Sequence, residues 1–199
     1  MFDSGIKVSD LIDQINLETD IALDIPDESY VLWLNSLQQL LYTEIVKEQK
    51  KIDAKEFFED GRVDLSKLSE TGENEPRFED IHAVYADDTQ LIKSTVASGV
   101  IFPNTYYKIE DKLGINATVN RELTVVYFVK PAMINPKDIG DSKVMLPIEF
   151  VDIAKAKLRG EAYKVANEDN LAAKWLNDYN ILLETFKAWI AEKSPNFGM

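Results

Sequence analysis

The sequence predicts an α+β protein that is mainly α-helical, with a helical bundle from both chain ends and a small antiparallel β insertion. Near both ends, apolar residues recur at steps of three and four, the spacing of a helix with one buried face. Between them, residues 81–134 are rich in β-branched and aromatic residues, which favour strands. With 199 residues, 45% of them hydrophobic, the chain is long enough for a substantial core. We therefore predict a single domain over 1–199.

Two N-terminal helices are expected, over 8–19 and 28–51, as part of a helical core covering 8–52 and 147–193. Ser9 is a candidate N-cap for the first, because its hydroxyl can accept a hydrogen bond from an exposed backbone N–H. Pro26 disfavours helical backbone at Ile25 and separates the two. The second helix has a broad apolar stripe: Tyr30, Trp33, Leu34, Leu37, Leu40, Leu41 and Ile45. Lysines 47, 50 and 51 suit its C-terminus.

The composition of the sequence changes at residue 53 and again at residue 81. Residues 53–80 hold ten acidic and four basic residues, and we interpret them as an acidic surface insertion with one short helical or extended piece. Residues 81–134 form the β insertion, with strands expected within 81–87, 98–103, 105–111 and 121–134. Residues 112–116 contain a glycine and predict a turn before a further short strand. Residues 89–97 fit either a helical turn or a strand.

Two more helices are predicted within 147–193. In the first, the core positions are Val151, Ala154, Leu158, Ala162 and Val165. Gly160 lies inside this helix at a cost of about 1 kcal/mol relative to alanine, which close helix packing would explain. A break at 167–170 precedes the second helix. Its stripe comprises Ala172, Trp175, Leu176, Tyr179, Leu182, Leu183, Phe186, Trp189 and Ile190.

Composition excludes several classes of function. The chain has no cysteine, so disulfides, thiol catalysis and cysteine-ligated metals are excluded. A net charge of −13 makes tight DNA binding unexpected, because phosphate recognition needs clustered lysine and arginine. We expect neither a signal peptide nor a membrane span. The acidity either keeps the protein soluble or lets a surface face DNA without gripping it.

No catalytic, cofactor or metal site is expected. The single histidine, His82, lies in a predicted strand and cannot supply a multi-histidine metal site. Glu149 and Asp152 are spaced as two metal-binding carboxylates on a helix could be, but an acid in a first helical turn is favoured by the helix dipole. The helical tryptophans are interpreted as core residues rather than base-stacking platforms, since basic residues are not interleaved with them.

The order of several phrases resembles a known family. Residues 10–19 read DLIDQINLET, and 24–29, DIPDES, lead into YVLWLNSLQQLLY. In the β part, YYKIEDKLGI is followed by LTVVYFVKPA, with Lys130-Pro131, and then by LPIEFVDIAKAK at 146–157. These phrases resemble the head-to-tail adaptor (connector) proteins of tailed bacteriophages, including the tail-tubular gatekeeper type. Residues 53–80 have no match in this pattern.

The resemblance implies a structural virion protein of the phage neck, made in the cytoplasm of the bacterial host. Such proteins form a ring, commonly of twelve subunits, below the portal protein. The ring extends the DNA channel, lets double-stranded DNA pass without specific binding, and docks the next neck or tail protein. No cofactor, enzymatic activity or membrane is involved.

Other functions stay open. They are a tail-completion or stopper protein, a cytosolic protein-binding module, and a small carboxylate or metal hydrolase. The candidate partner-binding residues are Phe197, in the terminal segment, and Asp152, Lys155 and Arg159, on the charged face of the first C-terminal helix. The insertion 53–80 either reaches a neighbouring subunit or is a solvated loop.

Overall fold

The protein is built from two compact units with different secondary structure. The computed structural model describes residues 4–19, 21, 24–54, 62–68, 80–94, 102–128, 131 and 133–193. One unit, the helical unit, comprises 1–41 and 132–199, and the other, the sheet unit, comprises 42–131. Of the described residues, 51% are helical and 25% lie in strands, arranged as two sheets of four strands each. This is a mixed α/β protein, so the prediction of a mainly helical fold with a small antiparallel β insertion was wrong.

Four α-helices form the helical unit: α1 (Val8–Glu18), α2 (Asp27–Leu40), α3 (Val151–Val165) and α4 (Asp169–Lys193). The most extensive packing is between α3 and α4, and α1 and α2 pack on α3. Its fully buried apolar side chains include Leu11, Ile15, Leu34, Ile153, Leu158 and Phe186. Within the described residues, no helix combines the length and apolar character that crossing a bilayer requires.

The first helix begins two residues earlier than a Ser9 cap would place it. Lys7 is the N-cap and makes no side-chain capping bond, so the prediction of Ser9 in that role was wrong. The free N–H groups of the first turn are satisfied by backbone instead. Val8 donates to the Ser142 carbonyl at 2.9 Å and Ser9 to the Ile139 carbonyl at 3.2 Å. Backbone carbonyls from a distant part of the chain therefore take the place of a side-chain N-cap.

The predicted helix 28–51 ends early. After α2, a π-helical turn covers Leu41–Ile45, and strand β1 then runs from Lys47 to Asp53. This strand pairs antiparallel with β8 (Glu122–Phe128) in seven residue pairs, from Lys47 opposite Phe128 to Asp53 opposite Glu122. The three lysines therefore belong to a strand, because pairing with β8 outweighs local helix propensity.

Two sheets make up the sheet unit. The first has the order β1, β8, β3 (Ile81–Ala86), β4 (Thr89–Gln90). The second has the order β2 (Arg62–Asp64), β7 (Lys112–Asn116), β6 (Thr105–Ile109), β5 (Ile92–Lys93). Strands β5 and β6 are parallel, so the expected wholly antiparallel arrangement does not hold. The core includes Val84, Leu113, Leu123, Val125 and Val126, all fully buried.

Several strand predictions are confirmed and others need correction. Strands β3, β6 and β8 lie inside predicted ranges. The turn predicted at 112–116 is itself strand β7, whose Gly114 faces Tyr107 and leaves room for its ring. The undecided stretch 89–97 contains the short strands β4 and β5. The strand predicted at 98–103 lies outside the described residues except for 102 and 103, which are not in a strand.

The acidic insertion 53–80 is partly core. Its described residues include strand β2 and a 3-10 turn, Leu65–Leu68. Val63, Leu65 and Leu68 are buried, and the Leu68 carbonyl accepts a 2.6 Å hydrogen bond from the Tyr127 hydroxyl. This part of the insertion is therefore packed, not a solvated loop. Residues 55–61 and 69–79 lie outside the described part.

A buried amide ties the returning chain to α2. Asn35, on α2, donates its Nδ2 to the Ile134 carbonyl at 3.0 Å and accepts at Oδ1 from the Ile134 N–H at 2.8 Å. One turn further on, the Gln38 Oε1 accepts from the Met145 N–H at 3.2 Å. Two 3-10 turns follow in this connection, Pro136–Asp138 and Ile148–Phe150, and the second leads directly into α3.

The turn between α3 and α4 has a specific geometry. Asn167 adopts a left-handed backbone with φ of 59°. Its N–H bonds to the Lys164 carbonyl, and the Glu168 N–H bonds to the Tyr163 carbonyl. This is the Schellman arrangement, in which asparagine is the common alternative to glycine. It reverses the chain so that α4 packs back on α3.

Close packing at Gly160 confirms the reason proposed for a glycine inside a helix. A Cβ atom added there would lie 2.7 Å from both Cγ and Cδ2 of Leu176 on α4, too near for an undisturbed contact. The hydrogen of glycine therefore permits the close approach of the two helices. Of the core positions predicted on α3, four are buried, but Val165 is 46% exposed.

We predict that Gly160→Ala destabilises the protein even though alanine is the better helix former. The gain in helix propensity is about 1 kcal/mol. The cost of forcing Leu176 aside is about 1–3 kcal/mol. Urea unfolding should therefore show a net loss of stability of up to about 2 kcal/mol. Gly140→Ala is the matched control, since a Cβ there meets nothing within 4 Å; a larger loss in the control would refute this explanation.

A single carboxylate organises one turn of the sheet unit. Asp87 has a left-handed backbone, with φ of 48°, between β3 and β4. Its oxygens accept hydrogen bonds from the backbone N–H groups of Asn120, Arg121 and Glu122, at 3.0, 2.7 and 3.1 Å, and from the Asn120 amide. The Arg121 and Asn120 backbone bonds are the main cause that lowers the Asp87 pKa from 3.8 to about 2.

We predict an acid-sensitive contribution of Asp87 to stability. Since its pKa is lower in the folded than in the unfolded chain, the contribution is complete above about pH 3.8 and is lost as the pH falls towards about 2. Asp87→Asn should be less stable than the natural protein at neutral pH, and the difference in unfolding free energy should shrink on acidification. Asn tolerates left-handed backbone, so strain does not confound the comparison.

The neighbouring Asp88→Asn variant is the control for this prediction. Asp88 is 88% exposed on its side chain and pairs with Arg121 on the surface. Its effect should be small and should vary little with pH. An equal pH dependence for the two variants would contradict the role assigned to Asp87.

Candidate functional site

A cavity of about 500 Å³ lies between α3 and α4 in the helical unit. We call it the α3–α4 groove. From α3, one helical face lines it, because its residues are spaced by three and four. They are Asp152, Lys155, Ala156 and Arg159. Glu18, the last residue of α1, adds a carboxylate.

The opposite wall comes from α4 and is more apolar. It consists of Trp175, Asp178, Ile181 and Leu182. Ile181 is 58% exposed, and Trp175 and Leu182 are half-buried. The groove therefore offers an aromatic ring and two aliphatic side chains beside charged groups. Volume and lining are typical of sites that take a small ligand or an anchoring side chain.

Arg159 is the central charged group of the groove. Its side chain is only 12% exposed, and its Nη2 forms an ion pair with Glu18 Oε2. The guanidinium also lies over the Trp175 ring, 4.5 Å from the centroid, in a cation–π contact. Burial lowers the pKa of Arg159 from its ordinary value. Its Nε is buried and has no hydrogen-bond partner among the described residues.

The other charges are held more loosely. Lys155 Nζ lies 3.5 Å from Asp152 Oδ1, one helical turn away, and the Asp152 side chain is 71% exposed. Such an exposed pair contributes little to stability. On α4, no ion pair or hydrogen bond to Asp178 is found within the described part of the chain. Asp178 is thus available to a donor that enters the groove.

The structure brings together three of the four predicted partner-binding residues. Asp152, Lys155 and Arg159 line one groove, whereas Phe197 lies outside the described residues. The three differ in exposure, because Arg159 is covered within its own chain and pairs with Glu18. Phe197 stays a prediction.

Sequence analysis missed the opposite wall of the groove. Trp175 and Leu182 were assigned to the core, and Asp178 and Ile181 were not singled out. A signal was present in the width of the α4 stripe, which is broader than one packed face requires. Only Ala172, Tyr179, Leu183 and Phe186 of α4 are buried.

The other residues considered as catalytic or metal-binding candidates are His82, Glu149 and Asp152. His82 lies in β3, with its Nε2 3.1 Å from Lys47 Nζ and its ring 5.7 Å from that of Phe128. Burial, and then the Lys47 charge, lower its pKa. Glu149 lies in the 3-10 turn before α3, and Asp152 pairs with Lys155. In the described ranges, no three His, Asp or Glu side chains form a group that could hold a metal ion.

No protein-family model matches the chain, and no curated protein matches it significantly.

We predict that Glu18→Gln lowers the stability of the protein by removing the ion pair with Arg159. Glutamine keeps the shape of the side chain but removes the charge that faces the largely buried Arg159. The free energy of unfolding should fall by about 1 kcal/mol, a value reduced for the partial exposure of Glu18. The control is Glu184→Gln, which breaks an exposed pair with Lys187 at 2.7 Å.

The control should cost less than about 0.5 kcal/mol. Equal losses in the two variants, measured by urea unfolding, would show that the Arg159–Glu18 pair behaves as an ordinary surface pair.

Proposed function

We propose that this chain is a structural virion protein, a head-to-tail adaptor of a tailed bacteriophage. Copies of it form a ring below the portal, extend the DNA channel and dock the next neck or tail protein. It is made in the cytoplasm of the bacterial host and acts as a scaffold rather than as an enzyme.

The observation that carries the proposal is the position of the Leu146–Phe150 phrase. Leu146 and Pro147 are buried, and Pro147 is the N-cap of the 3-10 turn that leads into α3. The Phe150 ring packs edge-on against Phe186 at 5.0 Å and against Trp189 at 5.1 Å. Residues 146–150, which carry much of the resemblance, therefore form the start of α3. The resembling adaptor proteins also open a long helix with such a Leu-Pro-x-Glu-aromatic sequence.

The order of elements supports the same proposal. Strand β8 ends at Phe128, two residues before Lys130-Pro131, and a connection then leads to the Leu-Pro turn and α3. In the family that the phrases resemble, a strand that ends in lysine or arginine and proline precedes a loop, and a Leu-Pro-x-Glu-aromatic phrase then opens a long helix. The same order in this chain, from strand β8 through the connection to α3, supports the proposal.

Exposed apolar side chains on the helical unit supply surfaces for partners. Leu17 is 87% exposed, Leu32 63% and Ile181 58%. A ring subunit must recognise another copy of itself through two different surfaces, and it also needs surfaces for the proteins above and below. Apolar groups outside the core suit such contacts.

The charge of the chain suits a DNA channel. With a net charge of −13, a ring of several copies carries a large negative charge. Carboxylates that line a channel repel phosphates, so double-stranded DNA passes without binding tightly. A tail-completion or stopper protein uses the same physics at another position in the neck.

A protein-binding module with no phage role is the second candidate. The α3–α4 groove favours it, because a cavity that combines a tryptophan, two aliphatic residues and charges is suited to capturing a peptide side chain.

The experiment is co-expression of the chain with the portal protein encoded in the same genome, followed by negative-stain electron microscopy and light scattering. We expect a ring bound to one end of the portal as an added layer. The chain alone is measured in parallel, since a ring can require the portal as a template. An unrelated portal protein is the control and should bind no ring.

A chain that stays monomeric in both conditions, or a genome without a portal gene, would contradict the proposal and favour the binding module. A reconstruction of the ring also gives the charge of its inner wall. An acidic or neutral wall agrees with free DNA passage, whereas a basic wall refutes that part of the proposal.

A further inference from the structure

Helix α4 carries an apolar surface that the described chain leaves uncovered. Beside the buried Ala172, Tyr179, Leu183 and Phe186, the helix presents Leu171, 40% exposed, and Ile181, 58% exposed. Trp175 and Leu182 are half-buried. Ile181, Leu182 and Trp175 line the α3–α4 groove, so the uncovered surface and the cavity are continuous.

We propose that the α3–α4 groove binds residues 194–199 of a second copy of this chain, with Phe197 as the anchoring side chain. The segment reads Ser-Pro-Asn-Phe-Gly-Met and follows α4 directly. This inference rests on the proposed function in one respect, namely that copies of the chain associate. It goes further by naming the two surfaces that meet.

The reach of the chain limits which part of its own groove the segment can contact. Phe197 is four residues beyond Lys193, so their Cα atoms are at most about 14 Å apart. Along α4, Leu182 lies about 16 Å before Lys193, and Trp175 about 27 Å before it, at 1.5 Å per residue. Phe197 therefore cannot return to the Trp175 end of its own groove. A Phe197 ring at the Trp175 end therefore has to come from another copy, whereas the Leu182 end lies within reach of the chain's own segment.

The chemistry of the segment matches that of the groove. The segment carries no charged side chain, so it leaves the Arg159–Glu18 and Lys155–Asp152 pairs intact. An acidic occupant would instead compete with Glu18 for the Arg159 guanidinium. The charge balance of the groove is three carboxylates to two cations, which also disfavours an acidic segment.

Individual contacts can be assigned by type. The ring of Phe197 suits the apolar end made by Trp175, Ile181 and Leu182, where an aromatic anchor gains most from burial. The side-chain amide of Asn196 can donate a hydrogen bond to the Asp178 carboxylate. A backbone carbonyl of the segment is an acceptor for the guanidinium of Arg159, whose Nε has no partner within the described residues.

This contact has a defined symmetry. Each copy gives one segment and receives one, through two different surfaces, so the interface is heterologous. Repetition of such a contact closes into a ring when the rotation between copies divides a full turn. The inference therefore supplies a physical basis for ring formation by this chain.

The absence of cysteine from the sequence allows a direct test by cross-linking. One sample of the chain carries Asp178→Cys in the groove, and a second, with a size tag, carries Gly198→Cys beside the anchor. The two are mixed, alone and with the portal, and a disulfide is formed with mild oxidant. We expect a tagged–untagged dimer from the mixture and little product from either sample alone.

Two controls make the result specific. Asn177→Cys replaces the neighbouring exposed residue, which does not line the groove, and should cross-link to Gly198→Cys far less than Asp178→Cys does. Adding Phe197→Ala to the Gly198→Cys copy should lower the yield about tenfold or more, the effect of losing an aromatic anchor.

Two results overturn the inference. One is equal yield at positions 177 and 178, both free and on the portal. The other is an intramolecular disulfide in a dilute chain that carries Asp178→Cys and Gly198→Cys together. If a ring forms on the portal without excess cross-linking at 178, the proposed function stands and this inference fails. Specific cross-linking without a ring or portal binding supports the inference and refutes the adaptor function.

Discussion

The helical unit depends on the buried amide of Asn35. Its halves come from opposite ends of the chain, and the amide joins them by pairing with both the N–H and the carbonyl of Ile134. A buried backbone group without a partner costs about 1–3 kcal/mol, so this pairing both satisfies the backbone and fixes where the connection runs. Gln38, one turn further along α2, accepts from the Met145 N–H directly before the Leu146–Phe150 turn, so α2 also holds the chain next to the start of α3.

Once α3 is placed, α4 is placed by close contact. Gly160 lets Leu176 approach, the left-handed Asn167 reverses the chain, and Phe150 closes an aromatic cluster with Phe186 and Trp189. Packing one side of α4 so tightly leaves its other apolar side uncovered. The α3–α4 groove results from that division, and the proposed contact between copies makes use of it.

Prediction from the sequence succeeded where the pattern was long and local. The helices α3 and α4, the strands β3, β6 and β8, and the reason for Gly160 were all deducible from spacing. It failed where a distant partner decides. Residues 47–51 were predicted as the C-terminal end of a helix, yet pairing with β8 makes them a strand. Ser9 has the chemistry of a cap, but carbonyls of residues 139 and 142 take the role.

The candidate site shows the same limit. The charges Asp152, Lys155 and Arg159 follow from the spacing of α3, because residues three and four apart share a face. Their relation to Glu18, Trp175 and Asp178 does not, because those residues belong to other helices. Periodicity and composition establish the helices α3 and α4, their apolar faces and the acidity of the chain, which are local or summed properties. Tertiary pairing and packing set the two sheets, which hold a quarter of the described residues, and leave one side of α4 open. Strand pairing and helix packing join residues that are far apart in the chain, whereas the periodicity of a sequence reports only which residues share a face within one element.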